Sequence, residues 1–222
     1  MAISDWTSQI DGNYAFLLET TNPVSGTGSL RLERNSGSGV EGAIVYPTNL
    51  NTGLTKGRLQ TVINLSEVSN DGSGQNQHVG VFFMINSLSD PLNTSSMYSF
   101  TFGVRSIGSA VINLGKSVGA GINGLVVNAL NTKAIPFIPL GTDIALQVDW
   151  VYDAIQFSGT KITARWKLGN DFTGLETVFD QVDTVSPLTT SVAEGLGALT
   201  GTGSNDWVML FDDTSLFDLV PV

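Results

Sequence analysis

Apolar and polar residues alternate one by one through several segments of the chain, which is the pattern of β-strands with one buried face. In Lys161–Leu168 every second residue is apolar, and the residues between them are charged or polar. The same alternation runs through Asp143–Trp150 and through 98–105, and a weaker version through 59–65. We predict that these four segments are strands that each turn one face towards a core.

Two further segments are apolar at nearly every position, Val79–Ile85 and Trp207–Phe211. A strand that is apolar on both faces either lies centrally, with layers on both sides, or meets a partner with its second face. In the second segment Trp207, Met209 and Phe211 share one face. We interpret that face as core or subunit interface, with a ligand-binding face as the alternative.

Turn-forming residues separate these segments, and no stretch has the apolar periodicity of a long helix. We expect a tight hairpin at Ser158–Gly159, irregular structure or short strands over Gly115–Asn131, and one helical turn at Ser191–Glu194. Charged residues make up only 14% of the chain and hydrophobic ones 41%, which suits a β protein better than a helical one. The whole chain, residues 1–222, is predicted to be a single all-β domain, a two-sheet antiparallel sandwich.

The order of the segments resembles a known architecture. The segments that carry the resemblance are SGTGSLRLER (Ser25–Arg34), MYSFTFGVRS (Met97–Ser106), ALQVDWVYDAIQFSGTKITARWKL (Ala145–Leu168) and WVMLFDDTSLF (Trp207–Phe217). In this order they resemble the concanavalin A-like, laminin G-type jelly roll. Lectins, glucanases, carbohydrate-binding modules and many phage and viral surface domains share that fold. The resemblance implies an architecture and leaves the activity open.

The charge balance restricts the partners. Lys and Arg total 10 and Asp and Glu 20, for a net charge of -10, and the cations are scattered without a basic run. We therefore expect no nucleic-acid binding, which needs clustered cations. The absence of cysteine excludes disulfides and thiolate metal ligands. The first residues do not read as a Sec signal peptide, and no apolar run could span a bilayer, so we expect synthesis in the cytoplasm and no membrane insertion.

Paired carboxylates and a histidine are the catalytic groups that the sequence could offer. Glucanases of the fold that this chain resembles carry their acids on one strand as E-x-D-x-x-E, which aims them into the groove. The sequence has no such segment, so a glycoside hydrolase is only a remote alternative, and we predict no catalytic residues. His78 is the only histidine, which excludes a metal site built on several histidines. We interpret it as an exposed or strand-entry residue rather than a general base.

One candidate metal site remains. Asp212 and Asp213 could supply carboxylate oxygens to a structural calcium near a strand end, with a solvated strand end as the alternative. No other cofactor is expected.

Two function classes follow. The first is a non-enzymatic structural protein of a bacteriophage virion, a capsid decoration or tail-associated protein that contacts other virion proteins and copies of itself. The alternative is a carbohydrate-binding module or lectin-like adhesin, whose partner is a glycan, for instance on a host surface.

Overall fold

The structure is a computed structural model that describes most of the chain. The described residues are 5–10, 13–21, 23–24, 28–35, 41–49, 53–68, 77–105, 109–126, 129–136, 138–200 and 207–217. Within them, fourteen β-strands account for the regular structure together with one 3-10 turn at Ile122–Val126. No helix in these residues is long and apolar enough to cross a membrane.

The strands form two antiparallel sheets of seven strands each. Sheet I contains, in spatial order, β1 (Trp6–Ile10), β4 (Glu41–Pro47), β13 (Ala193–Thr200), β6 (Gln77–Ile85), β7 (Met97–Arg105), β8 (Ser109–Ser117) and β9 (Ala129–Ile135). Sheet II contains β12 (Glu176–Asp183), β11 (Gly159–Leu168), β10 (Asp143–Asp153), β5 (Lys56–Val68), β14 (Trp207–Phe217), β3 (Ser29–Arg34) and β2 (Tyr14–Glu19). The predicted all-β, two-sheet antiparallel sandwich is confirmed.

The hairpin of β10 and β11 shows how the alternating pattern becomes a buried face. Leu146 pairs with Trp166, and the apolar positions on either side of them pair likewise, so both strands turn the same face to the core. The Asp153 carboxylate accepts two backbone N–H groups of the following turn, each at 2.8 Å. Ser158 closes the turn with a positive φ of 54°. The hairpin is confirmed, but the tight turn predicted at Ser158–Gly159 is wrong, because the connection spans 154–158 and Gly159 is the first residue of β11.

The main core fills the space between the two sheets. Phe83 and Tyr98 project from sheet I with ring centroids 5.5 Å apart, and Trp150 from sheet II lies 5.3 Å from the Phe83 ring. All three side chains are fully buried. Since burial of one such side chain contributes on the order of 1.5–3 kcal/mol, this aromatic trio is a principal link between the sheets.

Two expectations about individual segments are corrected or refined. The helical turn predicted at Ser191–Glu194 is wrong, because Ser191 forms an isolated bridge with Leu54 and β13 begins at Ala193. The irregular stretch predicted from Gly115 is shorter, because β8 continues to Ser117 and β9 begins at Ala129. Both differences arise where tertiary pairing overrides a weak local preference.

The two segments that are apolar on both faces are central strands, as the first interpretation held. In β6, Phe83 faces the main core and Phe82 faces a second apolar cluster on the outer side of sheet I. Met209 and Phe211 on β14 are 0% and 1% exposed and lie in the main core. They therefore do not form an interface or ligand face, because β14 lies between β5 and β3 and turns these residues towards sheet I. The side chain of Trp207 lies outside the described part of the structure.

Candidate functional site

The outer face of sheet I, which is turned away from the main core, is covered along one side by two loops. Segments 86–96 and 118–124 lie over an apolar cluster that comprises Ile44, Tyr46, Phe82, Ile85, Leu92, Met97, Ile122, Ala193 and Leu199. Backbone hydrogen bonds join the two loops, from Gly121 N to Ser95 O at 2.8 Å and from Ile122 N to Pro91 O at 3.1 Å. We call these two segments the loop wall, because they rise beside the uncovered part of the sheet.

The chain's single histidine lies where the covered side ends. His78 on β6 is in register with Leu199 of the covered cluster on one side and with Gly103 on the other. Asn113 Nδ2 lies 3.0 Å from His78 Nδ1. An amide nitrogen can only donate a hydrogen bond, so this contact is a hydrogen bond in the imidazole tautomer that carries its proton on Nε2.

Two glycines allow ring side chains to lie flat on this face. A Cβ at Gly103 would come within 2.8 Å of Cε1 and Nδ1 of the His78 ring, so the ring rests directly over β7. A Cβ at Gly197 would come within 2.7 Å of the Phe82 ring. Because these two glycines have no side chain, the rings can lie close to the backbone of the sheet.

Register places further polar groups beside the histidine. Thr101 on β7 is in register with Asn113 on β8, which is in register with Thr132 on β9. Thr101 is buried, His78 and Asn113 are half-buried, and Thr132 is exposed. We call His78, Thr101, Asn113 and Thr132 the polar strip. It is a line of uncharged hydrogen-bonding groups that runs from the loop wall to the edge of the sheet.

The outer face of sheet II is also polar, but its side chains bond to one another. Arg58 donates to both oxygens of the Asp149 carboxylate, at 2.6 and 3.1 Å, and Arg165 donates to the same carboxylate. Gln60 Nε2 donates to Gln147 Oε1 at 2.6 Å. A carboxylate held by two guanidinium groups is already satisfied, so this network is a structural surface rather than an open set of binding groups.

A buried ion pair joins one end of the two sheets. Lys116 Nζ lies 2.5 Å from Asp183 Oδ2 and also donates to the carbonyl oxygens of Val185 and Ser186. Tyr98 OH donates to the same Asp183 oxygen at 2.6 Å. Burial, with the neighbouring Asp183 carboxylate, raises the pKa of Tyr98 well above its usual range. The three contacts of Lys116 match the three N–H donors of an ammonium group, so this cluster is structural.

Glu194 on β13 is a second buried acid. It is 2% exposed, and among the described residues its Oε1 has no hydrogen-bond partner. It lines a cavity of about 60 Å³ together with Trp6, Pro47, Leu59, Gly195, Leu196, Thr214 and Leu216. Burial raises its pKa to about 7, and a hydrogen bond from Ser191 offsets part of that effect.

Asp212 and Asp213, the candidate calcium ligands, are occupied by local contacts. Asp212 Oδ2 accepts a hydrogen bond from Ser29 Oγ at 3.0 Å, and its Oδ1 accepts one from the Asp213 backbone N–H at 2.8 Å. Within the described residues no three or more His, Cys, Asp or Glu side chains gather into a metal-binding group. Calcium at this pair stays a prediction.

Comparisons with known proteins bear on the fold. No protein-family model matches the sequence, and no curated protein matches it. Among solved structures, the marine PL-14 alginate lyase from Aplysia kurodai has a TM-score of 0.60 at 12% identity, over 93% of this chain and 87% of that one. The endo-β-1,4-glucuronan lyase from the fungus Trichoderma reesei has a TM-score of 0.58 at 10% identity, over 96% and 90%. The Ca²⁺-bound exoplasmic/lumenal domain of VIP36 has a TM-score of 0.57 at 12% identity, over 98% and 85%.

These structures confirm the concanavalin A-like jelly roll and correct the predicted function. The similar structures named here are polysaccharide lyases and a domain whose other form is bound to Man3GlcNAc. The prediction of a non-enzymatic bacteriophage virion protein is therefore wrong, and the alternative of carbohydrate binding agrees better with the comparison. The absence of E-x-D-x-x-E does not argue against an enzyme, because lyases also occur on this fold. Self-association of the chain stays a prediction.

Proposed function

We propose that this concanavalin A-like sandwich recognises a carbohydrate chain, which lies across the polar strip beside the loop wall. The observation that carries the proposal is the contact between His78 and Asn113 on the floor of sheet I. This contact places the imidazole of His78 on β6 beside the primary amide of Asn113 on β8, on one face of a rigid sheet. The proposal is supported by carbohydrate-acting and carbohydrate-bound proteins among the structures that share the fold.

The chemistry of the strip suits sugar hydroxyls. A hydroxyl both donates and accepts hydrogen bonds, so a sugar-binding surface needs donors and acceptors within reach of one another. Asn113 and Thr132 each offer both, and both remain accessible to solvent. Because they are held on β-strands rather than on loops, their positions are fixed before a ligand arrives.

The loop wall limits the polar strip at one end, so a bound carbohydrate chain would extend from the wall towards the edge of the sheet. It borders the strip through Leu199, the register partner of His78. On the opposite side the strip runs out to Thr132 on β9, the edge strand of the sheet. A chain bound here would contact the strip at several points, and binding over several sugar units is how weak individual hydrogen bonds add up.

The outer face of sheet II fits this function less well. There Arg58 and Arg165 are committed to Asp149, Arg31 to Glu19 and Glu33, and the amides of Gln60 and Gln147 to each other. A ligand there would have to displace charge-assisted hydrogen bonds, which are about twice as strong as neutral ones. We therefore place the carbohydrate on sheet I.

A glycan array followed by titration calorimetry tests the proposal. We expect saturable binding by the full chain, and we expect His78→Ala and Asn113→Ala each to weaken it by about tenfold, the effect of one or two lost hydrogen bonds. Thr163→Ala is the control, since the Thr163 hydroxyl donates to Asp180 on sheet II, away from the polar strip, and this variant should bind as the wild type does.

The thermal stability of each variant is measured first, so that a loss of binding is not confused with a loss of fold. Product analysis of the same mixtures by mass spectrometry reports whether a bound glycan is also cleaved. The proposal is refuted if the wild type binds no glycan, or if both sheet I variants bind as tightly as the wild type.

A further inference from the structure

Resting on the proposed function, we infer that the glycan bound by the polar strip is electrically neutral, and not a polyuronate such as the substrates of the two lyases that share the fold. The inference comes from where the chain places its cations and from the uncharged hydrogen-bonding groups of the polar strip.

The cations are concentrated on sheet II. Of the ten Lys and Arg residues, seven lie on strands of that sheet: Arg31, Arg34, Lys56, Arg58, Lys161, Arg165 and Lys167. Three lie on strands of sheet I: Arg105, Lys116 and Lys133. The segments outside the described residues contain no Lys or Arg in the sequence, so they add no cation to either face.

Two of the three cations of sheet I are held by acids of β12 in the other sheet. Lys116 is 2.5 Å from Asp183, and both side chains are buried. Lys133 is 3.2 Å from Glu176 across the open edge of the sandwich. The third cation of sheet I is Arg105, the last residue of β7.

The polar strip itself is uncharged. Its hydroxyl and amide groups carry no charge, and the strip contains no Lys or Arg. Such groups can form the hydrogen bonds that sugar hydroxyls need. They do not offset the free-energy cost of removing water from a carboxylate.

A polyuronate would bring one carboxylate per sugar unit to this surface. The chain has a net charge of -10, so the field around it opposes a polyanion, within a screening length of about 8 Å at physiological salt. A neutral hexose polymer has the same backbone shape and no such penalty. Neutral glycan is therefore the class that the strip fits.

Matched pairs of oligosaccharides test the inference directly. Glucuronan and cellulose oligomers differ only in the oxidation state of C6, as do mannuronan and β-1,4-mannan oligomers, and all four are titrated alongside the glycan array. We expect neutral ligands to bind at least about tenfold more tightly than their uronate counterparts. We also expect the neutral affinity to change less than about twofold between about 0.05 and about 0.5 M NaCl.

Two variants sharpen the result. Ala134→Lys adds a cation at an exposed position of β9, two residues from Thr132 on the same face but outside the strip, and it should raise uronate affinity by about tenfold with little effect on neutral ligands. Arg105→Ala removes the third cation of sheet I and should leave neutral binding unchanged.

The possible outcomes are distinguishable. Binding of neutral glycans alone supports the inference. Tight, salt-sensitive binding of a uronate oligomer, especially if Arg105→Ala abolishes it, overturns the inference and leaves the proposed carbohydrate recognition standing. Binding to no glycan of either class overturns both.

Discussion

Replacement of Glu194 by Gln should make the protein more stable at neutral and alkaline pH. Glu194 is 2% exposed, and its carboxyl lines a small cavity that is otherwise mostly apolar. Desolvation of the charged form raises its pKa from 4.5 to about 7. Gln has nearly the same shape as the protonated acid and cannot ionise, so the variant retains the neutral state at every pH.

The sign and size of the pH effect on the free energy of unfolding follow from proton linkage. Between pH 4.5 and about 7 the folded protein holds a proton that the unfolded chain has released. The stabilisation that the protonated acid contributes is therefore fully present below pH 4.5, and it is lost as the pH rises through about 7. A difference of about 2.5 pKa units corresponds to about 3 kcal/mol, since one unit is worth about 1.4 kcal/mol.

Urea unfolding of the wild type and the variant at several pH values measures this difference. The wild type should lose about 3 kcal/mol of unfolding free energy between about pH 4.5 and about pH 8 relative to the variant, or roughly 10 °C in melting temperature for a chain of this size. Glu176→Gln is the matched control, because that side chain is 64% exposed and should show almost none of the effect. Equal pH dependence in wild type and Glu194→Gln, or a variant less stable at pH 8, would refute the reasoning.

Three further predictions concern the other clusters. Asp183→Asn should destabilise the protein by about 3–5 kcal/mol, because it leaves Lys116 buried without its counter-ion, and calorimetry should show a smaller loss when Lys116→Met is combined with it. Gly103→Ala should weaken glycan binding more than it weakens the fold, because the new Cβ displaces the His78 ring; unchanged affinity would contradict the assigned role of that ring. Asp149→Asn should reduce stability, measured by urea unfolding, and leave glycan affinity unchanged, because its network lies on the other sheet.

The strands of the fold could be predicted because alternation is a local signal. The alternation in Lys161–Leu168 and Asp143–Trp150 shows which residues face inward. In the structure β10 and β11 pair so that these apolar residues lie on the same side of the sheet. The helical turn at Ser191–Glu194 was misjudged because a short segment has little intrinsic preference, and pairing of β13 with β6 decided its conformation.

The candidate site could be predicted only in part. His78 was recognisable as a single histidine, but its partner Asn113 is 35 residues away in sequence and on a strand that is not adjacent to β6 in the sheet. Gly103 between them gives no signal in one sequence that it makes room for a ring. For Met209 and Phe211 the core interpretation is confirmed, but an apolar face predicts burial without showing what covers it, and here sheet I covers it.

The central claim is that a carbohydrate binds at the polar strip on sheet I. The most direct measurement is an NMR titration of the isotope-labelled protein with the tightest glycan from the array, following the Asn113 side-chain amide and the His78 imidazole. The account predicts that both signals shift saturably with the same affinity as calorimetry gives, while the Gln60 and Gln147 amides on the outer face of sheet II stay in place. Saturable shifts at Gln60 and Gln147 with the sheet I signals unmoved would contradict it.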